Sequence, residues 1–351
     1  MQIIQKLIER TNSILNETSL LNNIVISSRI RLARNIEGIP FACNSDGDDR
    51  KKIFLLAKDI FESKEIIKDA IFMDLGDYTQ IERLLLVERH LMSQEHSRGG
   101  ENYGVVINDI ETISVMINEE DHFRLQALHS GLQLYSTWKI IDAVDERLSK
   151  NINYAFSPLF GYLTSCPTNL GTGLRASVML HLPALILTKQ IDKIISSVSK
   201  MGVIIRGLYG EGSKVLGDLF QISNQGAFGF KEEDIIKKVE EIAKYIVDCE
   251  KTAREYLLNE SSPAVKDKVW RAYGILKHCR TISSSEALSL LSFVRLGVDL
   301  KILSKINMDF GLINRMMLLI QPGHLQNMEK KRLDIKNRDI LRADLIRKML
   351  E

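Results

Sequence analysis

Two arginines stand two residues apart in Ser27-Ser28-Arg29-Ile30-Arg31, directly after the strand-like run 24–26, with Arg34 close behind. In an extended chain alternate residues share a side, so Arg29 and Arg31 would form a paired clamp for an anion. On spacing alone, a solvated strand edge is the commoner explanation. Asn118-Glu119-Glu120-Asp121-His122 sets three carboxylates in a row. Such a run repels itself unless a cation or cationic substrate lies nearby, although surface turns carry similar runs. Cys166-Pro167-Thr168-Asn169-Leu170-Gly171-Thr172-Gly173-Leu174-Arg175-Ala176-Ser177 combines a cysteine, glycines and an arginine that the pattern places at the start of a helix. Glycines let backbone N–H groups approach an anion, and a helix start favours one. A tight loop with an incidental arginine explains this stretch equally well.

A fourth element, Arg206-Gly207-Leu208-Tyr209-Gly210-Glu211-Gly212-Ser213-Lys214, is a glycine-rich loop after a strand. Gly207 and Gly212 have the spacing of a phosphate-cradling P-loop. That loop ends in Gly-Lys-Ser/Thr and opens a helix, whereas here Ser213 precedes Lys214 and a strand follows. The P-loop is therefore excluded.

The surrounding periodicities define what holds these motifs. Residues 49–61 read as a helix with Ile53, Leu56 and Ile60 on one face. Runs 103–108 and 112–118 form a hairpin turning near Asp109, and Phe123, Leu125 and Ala127 alternate in a further strand. Leu132, Tyr135, Trp138, Ile141 and Val144 step at helical spacing, runs 201–209 and 219–223 are strands, and 231–258 is a long charged helix. Ser261-Ser262-Pro263 reads as a linker. Beyond it the pattern is helical: a capping box at Ser283 and Glu286, a helix bracketed by Asn307 and Pro322, and a basic helix over 328–350. The expectation is an α+β unit over residues 1–260, with a mostly antiparallel sheet flanked by helices, followed by an all-helical domain over 261–351. At 351 residues, two domains are the ordinary outcome.

A net charge of +2 and the lack of any long like-charged block exclude a general nucleic-acid binder. The most apolar run, 178–187, is interrupted by His181 and Pro183 and is too short for a membrane. The four cysteines, Cys43, Cys166, Cys249 and Cys279, are scattered without a CxxC pair, which fits the reducing cytoplasm better than a zinc site or disulfide framework. The first residues are amphipathic and do not read as a signal peptide.

Taken in order, SSRIRLARN, NEEDH, CPTNLGTGLRAS, RGLYGEG and ISNQ resemble the guanidino-kinase (phosphagen kinase) family, to which creatine and arginine kinases belong. The chain departs from the small-metabolite kinases in two ways. It lacks their N-terminal helical domain and carries helices after Glu260 instead. It also has RGLYGEGSK where they have RGTRGEHTE, so Tyr209 replaces an arginine and the substrate-gripping glutamate has no counterpart. Both departures resemble the bacterial protein-arginine kinase branch.

The resemblance implies a binding site for ATP with Mg²⁺, the metal carried by the nucleotide and not by a protein site. It would comprise Ser27, Ser28, Arg29, Ile30 and Arg31; His90; Arg124; Arg175, Ala176, Ser177, Val178 and Met179; and Arg206, Gly207, Leu208, Tyr209, Gly210 and Glu211. It implies Glu120 as the catalytic carboxylate and Cys166 as the reactive cysteine beside the guanidinium, with Glu119 and Asp121 in supporting acidic roles. The chemistry agrees: phosphoryl transfer needs in-line positioning and charge neutralisation, which the arginines would supply. The acceptor guanidinium has a pKa above about 12, so a carboxylate must orient it and take up its proton.

Arg338-Asp339-Ile340-Leu341-Arg342-Ala343 matches the RDxxRA motif that, in that branch, forms an allosteric phosphoarginine pocket. Without the resemblance, a solvated basic helix end is the ordinary explanation. The implied function is phosphorylation of exposed arginines in proteins, marking them for Clp-type proteolysis or controlling stress regulators. The implied partners are a second copy of the chain, a zinc-binding activator protein and a Clp-type ATPase. A small-molecule guanidino kinase and a catalytically dead phosphoarginine-binding adaptor are the alternatives. The intact Glu120 and arginine set argue against the adaptor.

Overall fold

A computed structural model describes residues 2–9, 21, 23–42, 44–207, 216–260 and 262–351. The described strands are β1 (Val25–Arg34), β2 (Ala70–Asp74), β3 (Gly104–Asn108), β4 (Ile113–Ile117), β5 (Phe123–Ser130), β6 (Phe156–Ser157), β7 (Gly161–Tyr162), β8 (Leu174–His181), β9 (Val203–Gly207) and β10 (Leu219–Asn224). Eight of them form one antiparallel sheet in the order β2-β3-β4-β5-β1-β8-β10-β9, with β6-β7 a separate ribbon.

The described helices are α1 (Gln2–Glu9), α2 (Gly47–Ser63), α3 (Gln80–Glu88), α4 (Leu134–Ser149), α5 (Pro183–Leu187), α6 (Ile191–Ser199), α7 (Glu232–Glu260), α8 (Ser262–His278), α9 (Ser284–Asp299), α10 (Phe310–Leu319), α11 (Pro322–Met328) and α12 (Ile335–Met349). Local sequence sets their ends. Thr79 and Glu82 close a reciprocal capping box on α3, Ser283 caps α9, and three acidic residues open α7 where its dipole favours them.

Period-two patterning gives the sheet its two unlike faces. In β1, Ile30 and Leu32 are fully buried on one side, against Ala176, Val178 and Leu125 of the neighbouring strands. α4 and α7 cover that side. The opposite side carries Arg29, Arg31, Arg124 and Arg175. The apolar core continues from the sheet through Val247 of α7 to Leu291 of α9 and Ile346 of α12, so the C-terminal helices share it. A smaller core joins α1 and α3 to Met73, Val105 and Met116.

Several boundaries differ from the sequence reading. The strand expected at 24–26 runs on to Arg34, so the Ser27–Arg31 motif lies within it. Arg175 is in a strand, not at a helix start, because apolar Leu174, Ala176, Val178 and Leu180 alternate with Arg175, Ser177, Met179 and His181 at the period of two that a strand requires. Of the expected linker, Ser262 and Pro263 stand in the first turn of α8, where the proline's missing N–H costs nothing, and residue 261 lies outside the described residues. The terminal helix begins at Ile335, capped by Asp334, while Met328 ends α11.

Candidate active site

Cross-strand register brings the arginines together. Arg31 is opposite Arg175 on β8, Arg29 is opposite Ser177, and Arg124 lies on β5 on the same side of the sheet. Arg206 on β9 is opposite Gln221, whose Oε1 accepts from Arg29 Nη2 at 2.7 Å. Arg175 Nε donates weakly to Ser223 Oγ at 3.4 Å. Like charges directly opposite one another destabilise a sheet. Burial, then Arg124 and Arg175, lower the Arg29 pKa to about 10, and burial followed by Arg29, Arg124 and Arg175 holds Arg31 well below its ordinary value. The buried Nε of Arg31 has no hydrogen-bond partner among the described residues. A polyanion would relieve both the repulsion and the orphaned donor, so these residues fit a nucleotide's phosphates.

His90 follows α3 with a positive φ of 61°, its carbonyl held by Gln126 Nε2 at 2.6 Å. The surrounding protein desolvates it and Arg29 lies nearby, so its pKa is lowered, although the residue keeps an exposed surface. The carboxylate run separates into three roles. Glu119 receives bonds from Arg124 and from the Ser93 hydroxyl. Burial pushes it up, but Arg124 and Ser93 outweigh that and hold it low. Asp121, 2% exposed, accepts from Asn35 Nδ2 and from the Ser165 backbone N–H, both at 2.7 Å. It thereby ties the end of β1 to the segment that presents Cys166.

Glu120 is exposed, and its carboxylate meets the Cys166 thiol. Desolvation, together with Asp121 and Glu119, raises its pKa despite the opposing pull of Arg124. Cys166 Sγ also lies 3.1 Å from the Thr168 hydroxyl. His122 Nδ1 accepts from Ile36 N–H at 3.0 Å, so its Nε2 carries the proton donated to Pro40. This anchors the turn that carries the carboxylates just ahead of β5.

The glycines of the cysteine loop serve packing. A Cβ at Gly171, whose φ is 102°, would lie 2.8 Å from Phe228 Cα, and one at Gly173 would lie 2.5 Å from Arg34 Nη1. The expected anion cradle is thus a close backbone crossing. Arg34 itself points to the apolar side, where it forks onto Asp145 at 2.7–3.1 Å and stacks 3.6 Å from the Tyr162 ring. Position parity assigns it there, opposite in side to Arg29 and Arg31.

Ala176 and Val178 are buried on the apolar side, and Ser28 and Ile30 are buried in β1. Ser27 faces Met179 across the sheet, and Gly207 ends β9. Leu208, Tyr209, Gly210 and Glu211 lie outside the described residues, as does Cys43. Sequence reasoning missed Gln126 and Gln221, isolated polar residues that only strand register sets opposite Arg31 and Arg206, and Ser93, which the fold brings to Glu119.

The Arg338–Ala343 motif is not a solvated helix end. Arg342, 2% exposed, donates to the carbonyls of Ile320 and Ile282, each at 2.9 Å, and to Asp339. Ala343 is core, Leu341 half-buried and Ile340 exposed. Arg338 lines an open groove of about 1240 Å³ between α3 and the last helices, with Thr79, Gln94, Arg98, Arg332 and Lys336.

Comparison with known proteins gives two family matches. Residues 53–253 match the ATP:guanido phosphotransferase C-terminal catalytic domain, and residues 262–351 match the protein-arginine kinase McsB C-terminal domain. A protein-arginine kinase of Halothermothrix orenii is 47% identical over 328 residues, covering 93% of each chain. That of Bacillus subtilis is 43% identical over 331 residues, covering 94% of this chain and 90% of the relative. Among solved structures, a lombricine kinase superposes with a TM-score of 0.58 at 25% identity, over 66% of this chain and 68% of that one.

Proposed function

The chain belongs to the ATP:guanido phosphotransferase family, with the C-terminal domain of the protein-arginine kinases, and from that premise we propose how it phosphorylates arginine side chains of proteins at the expense of ATP. The observation that carries the reading is Glu120, an exposed carboxylate of raised pKa beside Cys166, at the edge of a face lined with arginines.

Arg29, Arg31, Arg124, Arg175 and Arg206 bind and orient the phosphate chain, and their fixed charge offsets charge developing on the transferred group. Glu119 holds Arg124 in position. Glu120 faces the acceptor, aligns its guanidinium and takes the proton from the attacking nitrogen, a task suited to a carboxylate of raised pKa. Cys166 lines the acceptor side, and Asp121 keeps Cys166 and Glu120 together. Among the described residues no cluster of three His, Cys, Asp or Glu could hold a metal. Mg²⁺ carried by the nucleotide would neutralise charge on the phosphates.

The missing substrate-gripping glutamate favours a side chain presented by another protein over a free guanidino metabolite. Incubation with Mg-ATP and an unfolded protein, followed by detection of acid-labile, base-stable phosphate on arginine, tests the assignment. Phosphate confined to serine, threonine or tyrosine would refute it. The unit boundary falls at 260/261, and Arg338 offers a second phosphoarginine site in its groove. A homodimer, a zinc-binding activator and delivery of marked proteins to a Clp-type protease in the cytoplasm complete the reading. No described helix is long and apolar enough to cross a membrane.

A further inference from the structure

Charge falls off in one direction along the arginine face. On β1 it reads Arg31, Arg29, Ser27, and the residues opposite on β8 read Arg175, Ser177, Met179. The charged end lies toward Arg124, Glu119 and Glu120. Ser27 is four residues away, about 13 Å along an extended strand. Ser27, Met179 and Leu128 there form one wall of a cavity of about 140 Å³, and Asn314, Met317 and Leu318 of α10 form the other; Arg29 also lines it, as do Arg89 and Glu88, whose charges are taken up by Glu111 and His324. A nucleoside triphosphate has the same polarity: charge at one end and a flat, weakly polar base at the other.

We propose that the nucleotide base seats in this cavity and that Asn314, on a helix outside the guanidino-phosphotransferase unit, reads it as adenine. The inference rests on the arginine face being the nucleotide site. With the transferred phosphate beside Glu120, the base must lie at the end of the face away from Arg31 and Arg175. Asn314 Oδ1 accepts from Arg295 Nη1 at 2.6 Å, and Arg295 is itself buried and stacked 4.8 Å from the Phe310 ring. This fixes the carboxamide, so its amine side is the one presented to a base. The Watson–Crick edge of adenine offers a ring nitrogen that accepts, whereas guanine offers an N–H at the same place, so an amide donor there separates the two. The C-terminal helices thereby set nucleotide selectivity as well as fold.

The test uses the full chain and calorimetric affinities for Mg-ATP, Mg-GTP and inorganic tripolyphosphate with Mg²⁺. Asn314→Asp keeps an acceptor for Arg295 but exchanges donor for acceptor toward the base. It should lower the ratio of ATP to GTP affinity at least about tenfold. Met317→Trp fills the cavity and should weaken both nucleotides at least about tenfold. Neither should alter tripolyphosphate binding. Unchanged ATP affinity and selectivity in both variants would overturn the proposal, and so would a parallel loss of tripolyphosphate, which would assign these residues to folding alone. Failure of the underlying site looks different: Arg29→Ala would then leave ATP and tripolyphosphate binding intact.

Discussion

At the scale of residues, the three carboxylates of one short run act differently because each meets different neighbours. Glu119 is neutralised by Arg124, Asp121 is consumed by Asn35 and Ser165, and Glu120 is left facing the solvent side beside Cys166. Glu120→Gln is therefore expected to lower kcat by at least about 100-fold while leaving ATP affinity nearly unchanged. An equal loss of ATP affinity would relocate Glu120 to the nucleotide. A base works deprotonated, so the rate should fall as pH drops through the Glu120 pKa. Because that pKa is raised, the acid limb of kcat should lie above the ordinary glutamate value of about 4.3 and vanish in the Gln variant. Much of this was legible from residue types: the run itself, and the shared side of Arg29 and Arg31. The division of labour was not, since Ser93, Asn35 and Ser165 stand far from it in sequence and are brought there by the sheet.

At the scale of elements, the junction between α3 and α11 is a place where one glycine is obligatory. Glu88 at the end of α3 accepts from Gly323 N–H at 2.6 Å and His324 N–H at 2.9 Å, and from His324 Nδ1 at 2.8 Å. A Cβ at Gly323 would lie 2.9 Å from the Leu85 backbone nitrogen. Gly323→Ala should then cost about 1–3 kcal/mol in denaturant unfolding. No loss would mean the two helices separate freely. Within α12, Arg338 and Arg342 should also behave differently. Arg342→Ala strips hydrogen bonds from two carbonyls and should destabilise by about 2 kcal/mol or more. Arg338→Ala should leave stability alone and blunt activation by added phosphoarginine, measured as the ratio of kinase rates with and without it. An unchanged ratio would leave the groove without that ligand. The RDxxRA spacing was visible in the sequence. That its second arginine braces three helices was not, because its partners Ile282 and Ile320 are backbone carbonyls.

At the scale of the whole molecule, sheet and C-terminal helices meet over a single core, and His181 marks the seam. It is fully buried at the end of β8, with Nε2 2.8 Å from the Ser292 hydroxyl of α9. Burial first, then Arg295 and Arg254, hold its pKa well below the usual histidine value. In the unfolded chain it titrates near about 6.5, so the folded state binds fewer protons below that pH and stability falls as pH drops. From about pH 6.5 to 5.5 this one residue should remove about 1 kcal/mol, a loss absent in His181→Gln. Equal acid sensitivity of the two proteins would assign it to other groups. Alternating apolar residues made the sheet readable in advance, while the shared core was not, because the surfaces of α7, α9 and α12 that meet are hundreds of residues from β1.

Everything at these three scales serves one reaction, in which the acceptor is arginine within a protein. Its most direct measurement is kcat/KM for phosphate transfer from Mg-ATP to an unfolded arginine-containing protein and to free arginine, with Glu120→Gln as the blank. The value for the protein should be far larger, with no transfer to either acceptor in the blank. Comparable values for free arginine would contradict it and make the chain a small-molecule guanidino kinase.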